Sequence, residues 1–202
     1  MVRRLGPRDE GDRMMLITPS YLQTQVDAHT DPEYGVASKL YAPFVSKLVN
    51  QLEIAELLDY GAGKCRLFKH LQADHALTLQ AYDPAIPSLA GRPLPSQMVC
   101  CLDVLEHIEP ECLDEVLDDL QALTLEIGFY SIATTPAVRT LSDGRNAHLI
   151  QEPASWWLPK LLARWDLQVF QKVQHGFFVV VSANEHIEFR RTSDRNYQLD
   201  AA

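Results

Sequence analysis

The stretch Leu57-Leu58-Asp59-Tyr60-Gly61-Ala62-Gly63-Lys64-Cys65 constrains the fold more than any other, because an apolar run stops on an acid and turns through two glycines one residue apart. A short continuous apolar run reads as a strand buried on both faces. Glycines at its end let the backbone turn sharply toward a following helix, whose free N–H groups can face polar atoms of a ligand. The segment therefore predicts strand, ligand-binding loop and helix. A Gly-x-Gly also occurs in ordinary turns between strand and helix, so the weight falls on the flanking segments and their spacing.

Those segments alternate in the same way. Tyr34 to Gln51 places Val36, Leu40, Phe44, Leu48 and Val49 near helical spacing and predicts an amphipathic helix ahead of the strand Ile54 to Leu58. Lys64 to Gln72 reads as the helix after the glycine loop, and Ala76 to Tyr82 as a second strand ending at Asp83-Pro84. Met98 to Leu102 is a third, continuously apolar strand ending at Asp103, followed by a helix over Cys112 to Leu123 and a strand over Gly128 to Ala133. Leu167 to Val173 and Phe177 to Ser182, split by a short segment holding Gly176, predict a closing hairpin. Strands alternating with helices imply an α/β fold, a Rossmann-like, doubly wound and mostly parallel sheet with a C-terminal antiparallel hairpin.

With 202 residues and 47% hydrophobic content, the chain can bury one substantial core. One domain is expected over residues 19–188, between a mobile N-terminal tail, 1–18, and a mobile C-terminal tail, 189–202, both charged and weakly periodic. The net charge of −9, from 18 basic and 27 acidic residues, leaves no broad cationic face for duplex DNA. Cys65, Cys100, Cys101 and Cys112 show no Cys-x-x-Cys spacing and read as free thiols of a reducing compartment. No stretch has signal-peptide or membrane-spanning character, so no membrane partner is expected and the protein reads as soluble and cytoplasmic. Oligomeric state is not legible.

The acids that close the strands carry the chemistry. Asp83 lies 20 residues beyond Gly63, where a carboxylate can accept hydrogen bonds from both hydroxyls of an adenosine ribose. Taken together, LLDYGAGKC, AYDP, MVCCLDVLEHI and YSIATTP resemble the successive motifs of class I S-adenosylmethionine-dependent methyltransferases, over about Ile54 to Ser182. The resemblance implies that S-adenosylmethionine is the cofactor, with Asp59, Gly61 and Gly63 along its methionine and ribose portion and Asp83 at the ribose. It also implies that Leu102 and Asp103 line the methyl-donor cavity and that Tyr34, Gly35 and Tyr41 serve a lid.

Two departures from the family pattern stand out. Position 65, a third glycine in many members, is cysteine, which is tolerable if the helix already begins there. Only about 15 residues separate Asp83 from Met98, too few for helix, strand and helix, and Pro84, Pro87, Pro93 and Pro95 oppose a long helix. The sheet is therefore expected to be shortened on the adenine-binding edge.

Asp103, Glu106 and His107 fall within five residues, and spacings of three and four bring side chains onto one helical face. The cluster resembles the Glu-x-x-Glu-His set of metal-dependent ubiquinone-biosynthesis O-methyltransferases and of small-RNA terminal 2′-O-methyltransferases, with Asp103 at the first position. His148, beyond Thr134-Thr135-Pro136, would complete the set. Such a set suits Mg²⁺ or Mn²⁺, which would lower the pKa of an acceptor hydroxyl. Without metal, His107 or His148 could act as the general base.

Asp143, Arg145, Asn146 and His148 crowd into six residues beyond a strand end, where α/β sheets place ligands. Arg145 offers a fork for phosphate or carboxylate, Asn146 can read a polar ring edge, and Trp156 with Trp157 could wall a flat substrate. The Asp/Asn-Pro-Pro-aromatic run of amino-methyltransferases acting on DNA is absent from the strand ending in Leu-Asp-Val-Leu. The favoured acceptor is a hydroxyl or amine of a small metabolite, nucleotide or sugar, methylated by in-line transfer. The alternatives are an RNA-end 2′-O-methyltransferase and a partner subunit that binds S-adenosylmethionine without activity of its own.

Overall fold

The computed structural model describes residues 15–35 and 37–183; most of the expected N-terminal tail, all of the expected C-terminal tail, Val36 and the expected domain end at residue 188 lie outside the described residues. One sheet holds β1 (Glu56–Tyr60), β2 (Thr78–Tyr82), β3 (Ser96–Leu102), β4 (Thr124–Ala133), β5 (Asp166–Val173) and β6 (Gly176–Ser182) in the order β2-β1-β3-β4-β6-β5. The first four strands run parallel, β6 runs antiparallel to β4, and β5 runs antiparallel to β6. This is the mostly parallel sheet with a closing hairpin that the sequence pattern implies.

Side chains along the central strands alternate between two cores. Leu58, Tyr60, Val99 and Cys101 face one core, covered by Leu117 and Leu120 of α4 (Leu113–Leu123) and by Trp157 and Leu161 of α5 (Ala154–Leu162). Leu57, Met98 and Cys100 face the other, covered by Val45 and Val49 of α2 (Ala42–Gln51) and by Leu67 of α3 (Arg66–His70). Fully burying an aliphatic side chain contributes about 1.5–3 kcal/mol, so the sheet is held by what covers it on both faces.

The edge expected to face adenine is short. β2 ends the sheet, and residues 83–95 form turns with neither strand nor helix. The Gln80 side chain ties this segment down, its Nε2 donating to Ser96 Oγ at 2.8 Å and its Oε1 accepting the Leu94 N–H at 3.1 Å.

Several local expectations shift. The helix expected over Tyr34 to Gln51 breaks into a 3₁₀ turn, Ala37–Leu40, and α2, with Leu40 exposed rather than buried. β1 begins two residues later than expected because its pairing with β2 and β3 extends to Tyr60. The helix after the glycine loop covers only Arg66–His70 and does not begin at Lys64-Cys65. Cys65 instead takes φ 51°, the left-handed conformation that glycine adopts without strain.

Two helices have no counterpart in the sequence pattern, α5 and one near the N-terminus. α1 (Pro19–Ala28) starts where Thr18 Oγ1 accepts the Tyr21 N–H at 3.3 Å and Pro19 takes the first turn. Leu16, Ile17 and Thr18, inside the expected N-terminal tail, are packed: Ile17 joins Tyr21, Leu141 and Ala147, and Thr18 donates to Glu109 through both its N–H (2.9 Å) and its hydroxyl (2.7 Å). α1 thereby roofs the C-terminal ends of β1, β2 and β3. Among the described residues no helix is long and apolar enough to cross a membrane.

Candidate functional site

A cavity of about 280 Å³ opens between the C-terminal ends of β1, β2 and β3 and the roof formed by α1. Its floor contains both glycines of the loop. Gly61 sits at φ 76°, where a Cβ would fall 2.4 Å from Val104 Cγ2, and Gly63 at φ 50°, where one would fall 3.0 Å from the Gly35 carbonyl oxygen. The Gly63 N–H donates to Asp83 at 2.9 Å, and the other Asp83 oxygen accepts the Ala85 N–H at 3.0 Å. Asp83 is buried at the cavity wall, with its two oxygens held in fixed directions.

Asp59 and Leu102 lie outside the wall. Asp59 is 1% exposed beneath the loop, its Oδ2 has no hydrogen-bond partner, and burial, reinforced by Asp83, pushes its pKa up to about 7. Leu102 packs into the core on the α2 side. The donor residues expected from the sequence therefore separate into a wall of Gly61, Gly63, Asp83 and Asp103 and a support of Asp59 and Leu102.

At the other end, the 3₁₀ turn Leu105–His107 brings Glu106 and His107 toward His148, and one potential ligand atom from each lies within 4.8 Å of the others. The rings of His107 and His148 meet edge to face with centroids 4.8 Å apart. Glu106 is fully buried; Oε1 accepts the Ala133 N–H at 2.9 Å while Oε2 has no partner, and burial raises its pKa well above the usual range. Burial, with His148 adding to it, lowers the His107 pKa to about 4. His148 Nδ1 meets the Thr135 carbonyl at 2.6 Å, and the His107 ring faces the Ala147 carbonyl while its Nδ1 is unpartnered. Anchoring one imidazole nitrogen on a carbonyl and leaving the other free is how metal-ligating histidines are held. These three residues fit a divalent cation. Asp103, the fourth expected ligand, does not join them: it accepts the Ser131 hydroxyl at 2.7 Å, and burial raises its pKa.

Of the residues expected to face the acceptor or to serve a lid, His148, Tyr34 and Gly35 line the cavity. Arg145 pairs with Asp143 at 2.7 Å, lies over the Tyr21 ring and does not line the cavity. Asn146 is spent within its own loop, accepting from the Ala137 and His148 N–H groups and donating to the Ala137 carbonyl. Trp156 packs on α5 against Trp157 and under Lys160, away from the cavity. Tyr34 does line the cavity, its hydroxyl donating to Gln25 Oε1 at 2.8 Å.

Among the cavity residues that escape the sequence pattern are Tyr21, Gln25 and His29, which recur every four residues and so project from one face of α1 and its C-terminal end. The readable signal was Thr18-Pro19, a cap followed by proline at the first turn. Among the described residues lining the cavity there is neither lysine nor arginine. Lys64 is close by, but its ammonium is held by the carbonyls of His29, Asp31 and Tyr34.

The sheet order, mostly parallel with an antiparallel closing hairpin, is that of the Rossmann-like fold shared by class I methyltransferase structures. Similar solved structures include the 1,6-didemethyltoxoflavin-N1-methyltransferase of Burkholderia thailandensis with bound 1,6-didemethyltoxoflavin and S-adenosylhomocysteine, at TM-score 0.56 and 16% identity over 92% of this chain and 94% of that one. An O-methyltransferase family protein from the same organism matches at TM-score 0.57 and 12% identity over 82% of this chain, which spans 59% of that protein's length. The small RNA methyltransferase HEN1 matches at TM-score 0.52 and 15% identity over 73% of this chain and 25% of its own. No protein-family model and no curated protein matches the sequence. These likenesses establish the fold and lend no support to the narrower resemblance to ubiquinone-biosynthesis O-methyltransferases.

Proposed function

We propose that the protein is an S-adenosylmethionine-dependent methyltransferase acting on a hydroxyl or amine of a small molecule. The observation that carries this reading is the cavity itself: the glycine loop and Asp83 line one end, and His107 and His148 lie at the other. Gly61 and Gly63 let the backbone approach the donor, Asp83 would accept from its ribose, and Asp103 and Val104 would border the methyl end. A sulfonium methyl is already activated, so the protein's part is to align the nucleophile and exclude water. α1 supplies the second function by covering the strand ends.

Glu106, His107 and His148 would hold Mg²⁺ or Mn²⁺, which when bound favours the ionised form of an acceptor oxygen. In the absence of metal, the free nitrogen of His148 is placed to take the acceptor proton, since its Nδ1 is already committed to Thr135. That same cluster favours a second reading, an RNA-end 2′-O-methyltransferase, whereas the lack of lysine and arginine in the described cavity wall argues against a phosphate-rich acceptor.

The test is calorimetric titration of the full chain with S-adenosylhomocysteine, followed by incubation with methyl-labelled cofactor and separate metabolite and RNA fractions. Binding with label appearing in a small metabolite supports the first reading. Salt-sensitive labelling of RNA supports the second, and absence of binding removes both.

A further inference from the structure

We infer that His29, at the C-terminal end of the α1 roof, is a second ribose ligand that shares a hydroxyl of the adenosine group with Asp83. This rests on the donor reading above and goes beyond it, since it assigns a cofactor contact to a segment outside the sheet and its loops.

The geometry is specific. His29 lines the cavity with its side chain 13% exposed, and Nε2 stands 3.7 Å from Asp83 Oδ2. That gap is too long for a hydrogen bond between the two groups. Asp83 Oδ2 already takes the Gly63 N–H, yet a carboxylate oxygen accepts more than one donor. A hydroxyl seated beside both groups would accept from the imidazole N–H and donate to the carboxylate. Burial lowers the His29 pKa, which leaves the ring neutral near pH 7 with one N–H to offer.

The imidazole is held for this task. Its backbone carbonyl accepts the Lys64 ammonium at 3.2 Å, fixing the end of α1 to the glycine loop. The Tyr34 ring meets it edge-on at 5.1 Å, and Gly35 leaves only 3.3 Å between a would-be Cβ and His29 Cε1. Nδ1 is buried without a partner, so the ring gains no protein hydrogen bond that would explain its position. A polar ring set this way costs stability unless a ligand uses it.

The experiment is calorimetry on the full-length protein and its His29→Ala and His29→Gln variants, titrated with S-adenosylhomocysteine and with its 2′-deoxy and 3′-deoxy analogues. His29→Ala should weaken S-adenosylhomocysteine about five- to tenfold, the scale of one neutral hydrogen bond. The same substitution should cost nothing further with whichever deoxy analogue lacks the shared hydroxyl. His29→Gln, which keeps a donor and the polarity, should retain part of the affinity and guards against misfolding of the alanine variant. Equal losses for all three ligands, or no loss, would overturn the assignment while leaving the donor site standing. If the unmodified protein binds none of the three, the donor reading falls and this one with it.

Discussion

The Gly63 N–H and the Asp83 carboxylate meet at 2.9 Å, so the loop after β1 is locked to the end of β2 before any ligand enters. Asp83→Ala should therefore remove both a ribose acceptor and the lock on the loop. S-adenosylhomocysteine affinity, read by calorimetry, should fall by at least about tenfold, the cost of a charge-assisted hydrogen bond. Asp83→Asn, which keeps one carbonyl oxygen, should fall less. Unchanged affinity in both variants would show that the cavity does not take the donor.

Glu106, His107 and His148 converge although 41 positions separate the last two. If they hold a cation, a chelator should abolish turnover and Mg²⁺ or Mn²⁺ should restore it. Glu106→Gln and His148→Ala should each lower metal affinity about 10- to 100-fold while leaving S-adenosylhomocysteine binding within a factor of about two. A full rate in chelator would leave His148 as a base, and full activity of His148→Ala would leave it structural.

Cys65 carries a left-handed backbone that the sequence alone disguised, because a cysteine there reads as the start of a helix. Cys65→Gly should relieve about 1 kcal/mol of strain, partly offset by the greater freedom of glycine in the unfolded chain. Urea denaturation should show a change between zero and about 1 kcal/mol in the stabilising direction. Cys65→Val, branched at Cβ, should destabilise.

Legibility followed locality. The strands, the glycine loop and Asp83 were readable because an apolar run and its terminating acid lie within a few residues of each other. The short sheet edge was readable from chain length and prolines alone. α1 was not, since its cavity face consists of Tyr21, Gln25 and His29, and polar residues facing a cavity break the apolar period that marks a helix. Arg145 and Asn146 looked like ligand groups for the opposite reason: spacing does not reveal that Asp143 and Ala137 already satisfy them. Asp103 fitted a metal set by sequence interval, yet Ser131, 28 residues away, takes its carboxylate.

Asp59 gives the fold a pH dependence. Burial raises its folded pKa to about 7 from an ordinary 3.8, so the folded state binds a proton that the unfolded state releases as pH climbs between those values. Stability from this group is complete below about pH 4 and is lost as pH rises through 7. Asp59→Asn should flatten the profile and stabilise the protein at pH 8 by about 2–4 kcal/mol. Denaturant midpoints of both proteins at pH 5 and pH 8 would show it; a variant less stable at pH 8 would mean that the folded state favours the ionised carboxylate.

Asp119 is fully buried on α4, where it accepts the Tyr60 hydroxyl at 2.9 Å and pairs with the half-exposed Arg92 guanidinium. Arg92 belongs to the turns that replace the missing sheet edge, and Tyr60 lines the cavity, so this pair fastens the shortened edge to the helix behind the site. Arg92→Ala leaves a buried carboxylate with one neutral donor and should destabilise by about 2–3 kcal/mol. Adding Asp119→Asn to that variant removes the stranded charge and should recover part of the loss, a coupling that a double-mutant cycle of urea midpoints measures. Strictly additive losses would show that Arg92 and Asp119 act independently.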